Sequence, residues 1–148
     1  FPKGAIPADI QAVERVSGVD ILHRGATKQV LLISIGSMAS MALEVAQLAQ
    51  QQSIEITVVD PLWVKPISPA VSAMCADYAT VVVMEDGIKH AGIASTISEA
   101  LRDAGSECQL HSIGVPLEFI EHSKRNEILD DLEITPAPIV QQIAGWIS

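Results

Sequence analysis

Glu85 and Asp86 are adjacent carboxylates that follow an apolar run, Thr80 to Met84, and precede Gly87. At the end of a strand such a pair would accept hydrogen bonds from a hydroxyl or neutralise a cation. It would equally solvate a loop and bond a backbone N–H, and both readings stand. A second polar turn, Gly36-Ser37, follows the run from Gln29 to Ile35. Ser37 suits a helix N-cap, and the start of that helix would welcome an anion, although nearby carboxylates would repel a phosphate. His90, in the loop beyond Gly87, is of the type that titrates near neutral pH, or else a surface or interface histidine. Trp63 and Phe119 are large apolar residues in loop-like segments. Such anchors are enriched at interfaces, and core packing is as good a reading.

Several chemistries have no sequence support. No GxGxxG follows a strand, no GxxxxGK[ST] exists, and Gly36-Ser37-Met38-Ala39-Ser40 fails the GxSxG pattern. His23, His90, His111 and His122 are scattered without metal-ligand spacing. No catalytic residue and no metal ligand is assigned.

The candidate residues need a frame to position them. Val19 to His23 reads as a short strand. Gln29 to Ile35, Ile54 to Val59, Thr80 to Met84 and Gln109 to Ile113 read as further strands, the first three nearly all apolar. Between them Met38, Met41, Ala42, Val45, Leu48 and Ala49 recur at helical spacing. Helices are also predicted over 68–77, 91–104, 123–132 and from Thr135-Pro136 onward, where Ile139, Val140, Ile143, Ala144 and Ile147 form a stripe. Gly105 is placed to end the 91–104 helix. Strands alternating with helices over short connections predict βαβ units with a mostly parallel sheet, in a three-layer α/β/α architecture. Ligands favour the carboxyl ends of such strands, where the strand order reverses. If the first and third long strands are neighbours, Gly36-Ser37 and Glu85-Asp86 flank one crevice. Residues 1–18, with Pro2, Gly4, Pro7 and Gly18, read as a connector, and 19–148 as one domain.

Bulk properties agree. The chain has 148 residues, 49% hydrophobic, 18% charged and 3% aromatic, a globular composition with a core of Val, Ile, Leu and Ala. The net charge of −9 disfavours nucleic acid and anionic membranes as partners. No apolar run approaches the roughly 20 residues that span a bilayer. Cys75 and Cys108 sit among apolar residues outside any CxxC pair, which suits two buried thiols with no disulfide and a reducing cytoplasm. The start, Phe1-Pro2-Lys3-Gly4, lacks an initiator Met and looks like a cut through a longer chain.

Four segments carry a resemblance to a known family. Phe1-Pro2-Lys3-Gly4, LLISIGSMA (residues 31–39), VVDPLWVKP (58–66), and VMEDGIKHAGIAS (83–95) followed by IGVPLEFIEH (113–122) are similar to segments of the 1-deoxy-D-xylulose-5-phosphate synthase family in its C-terminal, transketolase-like domain. The resemblance implies a five-stranded, mostly parallel sheet with one antiparallel edge strand, Val19 to His23, and with the first and third long strands side by side. It implies a parent enzyme that joins pyruvate to glyceraldehyde 3-phosphate with loss of CO2, for isoprenoid, thiamine and pyridoxal precursors. Thiamine diphosphate and Mg²⁺ would bind the preceding domains and none would bind this part, which would act as a structural, dimer-supporting domain, inactive alone. Its partners would be the preceding domains and a second subunit. Lys3 stands where the family has an arginine associated with the substrate phosphate; lysine keeps the charge without the bidentate fork. Leu62, Trp63, Gly87, Ala91 and Ala94 depart from the family pattern. Two other readings are the C-terminal domain of a 2-oxo acid dehydrogenase E1 β subunit, which has the same fold, and a small-ligand sensor using the Gly36/Glu85 crevice.

Overall fold

Valine and isoleucine are branched at the β-carbon and favour the pleated sheet, and leucine adds apolar bulk. Where they run uninterrupted, the strand must be covered on both faces. In the computed structural model, which describes residues 10–35, 38–61, 68–85, 93–114 and 136–148, these runs form the centre of one sheet. The strands are β1 (Glu14–Val16), β2 (Val19–His23), β3 (Val30–Ser34), β4 (Ile56–Pro61), β5 (Thr80–Glu85) and β6 (Gln109–Gly114). The described helices are α1 (Ala39–Gln50), α2 (Pro69–Ala76), α3 (Ile93–Asp103) and α4 (Pro136–Ile147). The predicted helix over 123–132 lies outside the described residues.

The strand order is β1-β2-β4-β3-β5-β6. β4, β3, β5 and β6 run parallel, while β2 pairs antiparallel with both β1 and β4. The first and third long strands are neighbours as expected, with Val30 opposite Thr80 and Ser34 opposite Met84. The sheet has six strands rather than five, and Val19–His23 is not its edge: β1 lies outside it. Ser17 (φ 48°) and Gly18 (φ 84°) form a two-residue turn with positive φ at both positions, the geometry that matches the twist of a hairpin. A three-residue strand of Glu, Arg and Val is too short and polar to show a period. The Ser-Gly pair was its readable signal.

Alternate side chains of each strand feed two cores. Leu22, Val30, Leu32, Ile56, Val58, Val82, Met84 and Ile113 face α1 and α4; Val19, Ile21, Leu31, Ile33, Val59, Val81 and Val83 face α2 and α3. α4 buries Ile139, Val140 and Ile143. The result is the predicted three-layer arrangement.

Helix ends follow local chemistry. The Ser68 hydroxyl accepts from the Ala70 N–H (3.1 Å) and donates to the Ser17 carbonyl (2.9 Å), with Pro69 opening α2, so one side chain caps the helix and ties it to the β1–β2 turn. Gly105 (φ 74°) ends α3 as expected: its N–H donates to Arg102 and the Ser106 N–H to Leu101. α1 ends the same way with Ser53 in the glycine position at φ 63°, the Ser53 N–H bonding Gln50 and the Ile54 N–H bonding Ala49. Both are Schellman closures.

Candidate functional site

The chain leaves β3 through α1 toward one face and leaves β5 through α3 toward the other. Adjacent parallel strands whose connections diverge in this way leave a crevice at their carboxyl ends. β3 and β5 stay joined to that edge, since the Ile35 N–H donates to the Met84 carbonyl at 2.7 Å. The sequence expectation of a crevice between these two strands therefore has its frame.

Glu85 closes β5 at this edge and is 9% exposed. It stands opposite Gly114 of β6. A β-carbon on Gly114 would meet the Glu85 carbonyl oxygen at 3.3 Å and its Cγ at 3.5 Å, so the glycine leaves room chiefly for the Glu85 backbone. By alternation with Val81 and Val83, Glu85 takes the α2/α3 face. Lys3, Gly36, Ser37, Trp63, Asp86, His90 and Phe119 lie outside the described residues.

Two residues of this edge were not singled out from the sequence. Ser34, 1% exposed, interrupts the apolar β3 run and donates from Oγ to the Val59 carbonyl (3.2 Å). Asp60, half-buried at the end of β4, lies opposite Asp20 of β2. Burial raises the Asp60 carboxyl above the ordinary aspartate range, and the Asp20 charge raises it further. Asp20 is held by Arg15, Nε to Oδ1 at 2.5 Å and Nη2 to Oδ2 at 3.1 Å, and this pairing raises the Arg15 guanidinium. Arg15, Asp20 and Asp60 thus form a row across β1, β2 and β4. In the sequence Asp60-Pro61 reads only as a strand stop; its opposition to Asp20 depends on antiparallel register, which a single sequence does not display.

The edge thus carries carboxylates on both faces of the sheet, Asp60 toward α1/α4 and Glu85 toward α2/α3. Each carboxylate is an acceptor of hydrogen bonds, and when ionised it opposes a phosphate placed beside it. Among the described residues, no group of three or more His, Cys, Asp and Glu side chains is placed to hold a metal. No described helix is long and apolar enough to cross a membrane.

A mostly parallel sheet covered on both faces, with diverging connections after β3 and β5, defines a doubly wound α/β domain. The family described as "Transketolase, C-terminal domain" matches residues 18–139, and the chain belongs to that family. Over 148 residues it is 45% identical to the 1-deoxy-D-xylulose-5-phosphate synthase of Leifsonia xyli, covering 99% of this chain and 23% of that protein. It is 42% identical over 151 residues to the synthase of Rhodococcus erythropolis, covering 100% of this chain and 23% of that protein. The chain therefore spans about a quarter of the length of these relatives. Among solved structures, one described as a split gene transketolase, inactive β4 tetramer, superposes with a TM-score of 0.72 at 22% identity, covering 93% of this chain and 45% of that one. The transketolase of Campylobacter jejuni gives 0.60 at 18% identity, covering 91% and 20%. These two likenesses concern the fold.

Proposed function

We propose that the chain is the C-terminal domain of a 1-deoxy-D-xylulose-5-phosphate synthase, a structural and dimer-supporting part of an enzyme whose chemistry resides in the preceding domains. The observation that carries this reading is similarity along the whole chain, at 45% identity, to about a quarter of such a synthase. The parent reaction condenses pyruvate with glyceraldehyde 3-phosphate and releases CO2. Thiamine diphosphate and Mg²⁺, bound by the preceding domains, supply its carbanion chemistry.

The residues of this chain support that division of labour. A diphosphate at the described carboxyl edge would face Asp60 and Glu85, so like charge opposes cofactor binding there. The edge acts instead as the closed end of a packed layer, with Ser34 bonded across to β4 and Gly114 making room for Glu85. Lys3 reaches the substrate phosphate in the assembled enzyme as a point charge.

Steady-state kinetics of the full-length enzyme test the Lys3 assignment. Lys3→Ala raises the Michaelis constant for glyceraldehyde 3-phosphate and leaves that for pyruvate unchanged. An unaltered constant for glyceraldehyde 3-phosphate contradicts the assignment.

A further inference from the structure

Two cysteines that the proposed function does not use face the same core. Cys75, in the last turn of α2, is fully buried, and Cys108, one residue before β6, packs half-buried against the same apolar cluster. Two hydrogen bonds connect their surroundings. The Tyr78 N–H donates to the Cys75 carbonyl (3.2 Å), and the Gln109 N–H donates to the carbonyl of Ala79, the residue after Tyr78 (3.2 Å). The β5–β6 register sets Thr80 opposite Gln109 and Val81 opposite Leu110. Extended by one residue, it brings Cys108 level with Ala79. Leu110 packs on the second core, and alternation puts the Cys108 side chain on that face as well. Burial pushes the Cys75 thiol up to about 12, with the Cys108 charge as the second cause. Both side chains thus pack on one apolar cluster, beside the backbone bond that joins Gln109 to Ala79.

We infer that Cys75 and Cys108 form a thiol pair that a low-molecular-weight disulfide closes into an intramolecular disulfide bond. The Cys108 thiolate attacks one sulfur of the small disulfide; a new S–S bond forms, the old one breaks, and a small thiolate leaves with the electron pair. Cys75 then gives up its proton, and its sulfur attacks the Cys108 sulfur, expelling the second small thiol. The two protein thiols are oxidised by two electrons and the small disulfide is reduced to two thiols. Because the Cys75 thiolate is scarce at neutral pH, the second step accelerates about tenfold per pH unit. The closed bond ties the end of α2 to the start of β6, enclosing α3 in the loop.

The test is peptide mapping without reduction after exposing the folded protein to oxidised glutathione across a pH series. The expected product is a Cys75–Cys108 linked peptide that forms faster as the pH rises and is reversed by dithiothreitol. It should raise the Tm by roughly 10 °C, as a bond closing a loop of this length does. Cys75→Ala, which keeps a small apolar group in the core, should leave Cys108 as a lasting glutathione adduct. A wild-type map in which only the Cys108 adduct persists at every pH, or in which the cross-link forms only after denaturation, overturns the inference. The wild-type map decides even if the variant does not fold.

Discussion

The imidazole of His111 lies flat on the indole of Trp146, ring centroids 4.0 Å apart and planes within 2°. The stack fastens the outer strand β6 to the C-terminal helix α4 beside the Ile113, Ile139 and Ile143 core. His111 Nε2 is buried and has no hydrogen-bond partner among the described residues. A proton there would be poorly solvated, and burial pulls this imidazole below the ordinary histidine range.

That shift fixes a pH dependence. As the pH falls below about 6.5, the unfolded chain takes up a proton at residue 111 that the folded chain refuses, so stability is lost. The loss levels off once the lowered folded value is passed. His111→Phe keeps a ring on Trp146 and removes this contribution. Urea unfolding between pH 5 and pH 7 should show a shallower acid-side decline for the variant; parallel curves for the two proteins contradict the assignment. A double-mutant cycle with His111→Ala and Trp146→Ala should give a coupling of about 1 kcal/mol.

Asp60 runs in the opposite sense. Its carboxyl is raised by burial and by Asp20, so the folded state favours the protonated form. Stability is lost as the pH rises from the unfolded aspartate value through the raised folded one. Asp60→Asn removes a like-charge opposition across β2 and β4, and at pH 7 should stabilise the chain by up to ~1 kcal/mol. The gain should vanish in acid. Equal effects at pH 3 and pH 7 would show that charge is not the cause.

Two backbone positions give predictions of opposite sign. Ser53 holds φ 63° at the end of α1, a region that penalises any residue with a β-carbon. Ser53→Gly should raise stability by about 0.5–1 kcal/mol, read from the denaturant midpoint.

Gly25 is the reverse case. A β-carbon there would stand 3.0 Å from the Ile56 nitrogen and 3.1 Å from its carbonyl carbon and oxygen. Backbone in a central strand does not yield, and the Gly25 N–H also donates to Thr57 Oγ1 (3.0 Å). Gly25→Ala should destabilise by roughly 1–3 kcal/mol; a neutral result would mean that the connection after β2 can move off β4 at this point.

What the sequence displayed and what it hid divide along physical lines. The nearly all apolar runs in β3, β4 and β5 announced buried parallel strands, because burial on both faces favours apolar residues at both parities of the strand. The α4 stripe and the Gly105 stop were equally local signals. Contacts set by register or by helix-on-strand packing were hidden: Asp20 against Asp60, Glu85 against Gly114, and His111 on Trp146 are each distant in sequence. β1 was missed because three mixed residues carry no period, although Ser17-Gly18 marked the turn. Of the candidate residues named for chemistry, Glu85 falls within the described structure, at the strand end where its position after Met84 put it. The others lie outside the described residues.

In the proposed role this chain supports the chemistry of a synthase without performing it. The most direct test is deoxyxylulose 5-phosphate formation from pyruvate and glyceraldehyde 3-phosphate with thiamine diphosphate and Mg²⁺ present. It should be measured for the purified chain, checked for folding by circular dichroism, beside a full-length protein that contains it. The account predicts product from the full-length protein and none from the folded chain. Turnover by the chain alone, or none by an intact and folded full-length protein, would contradict it.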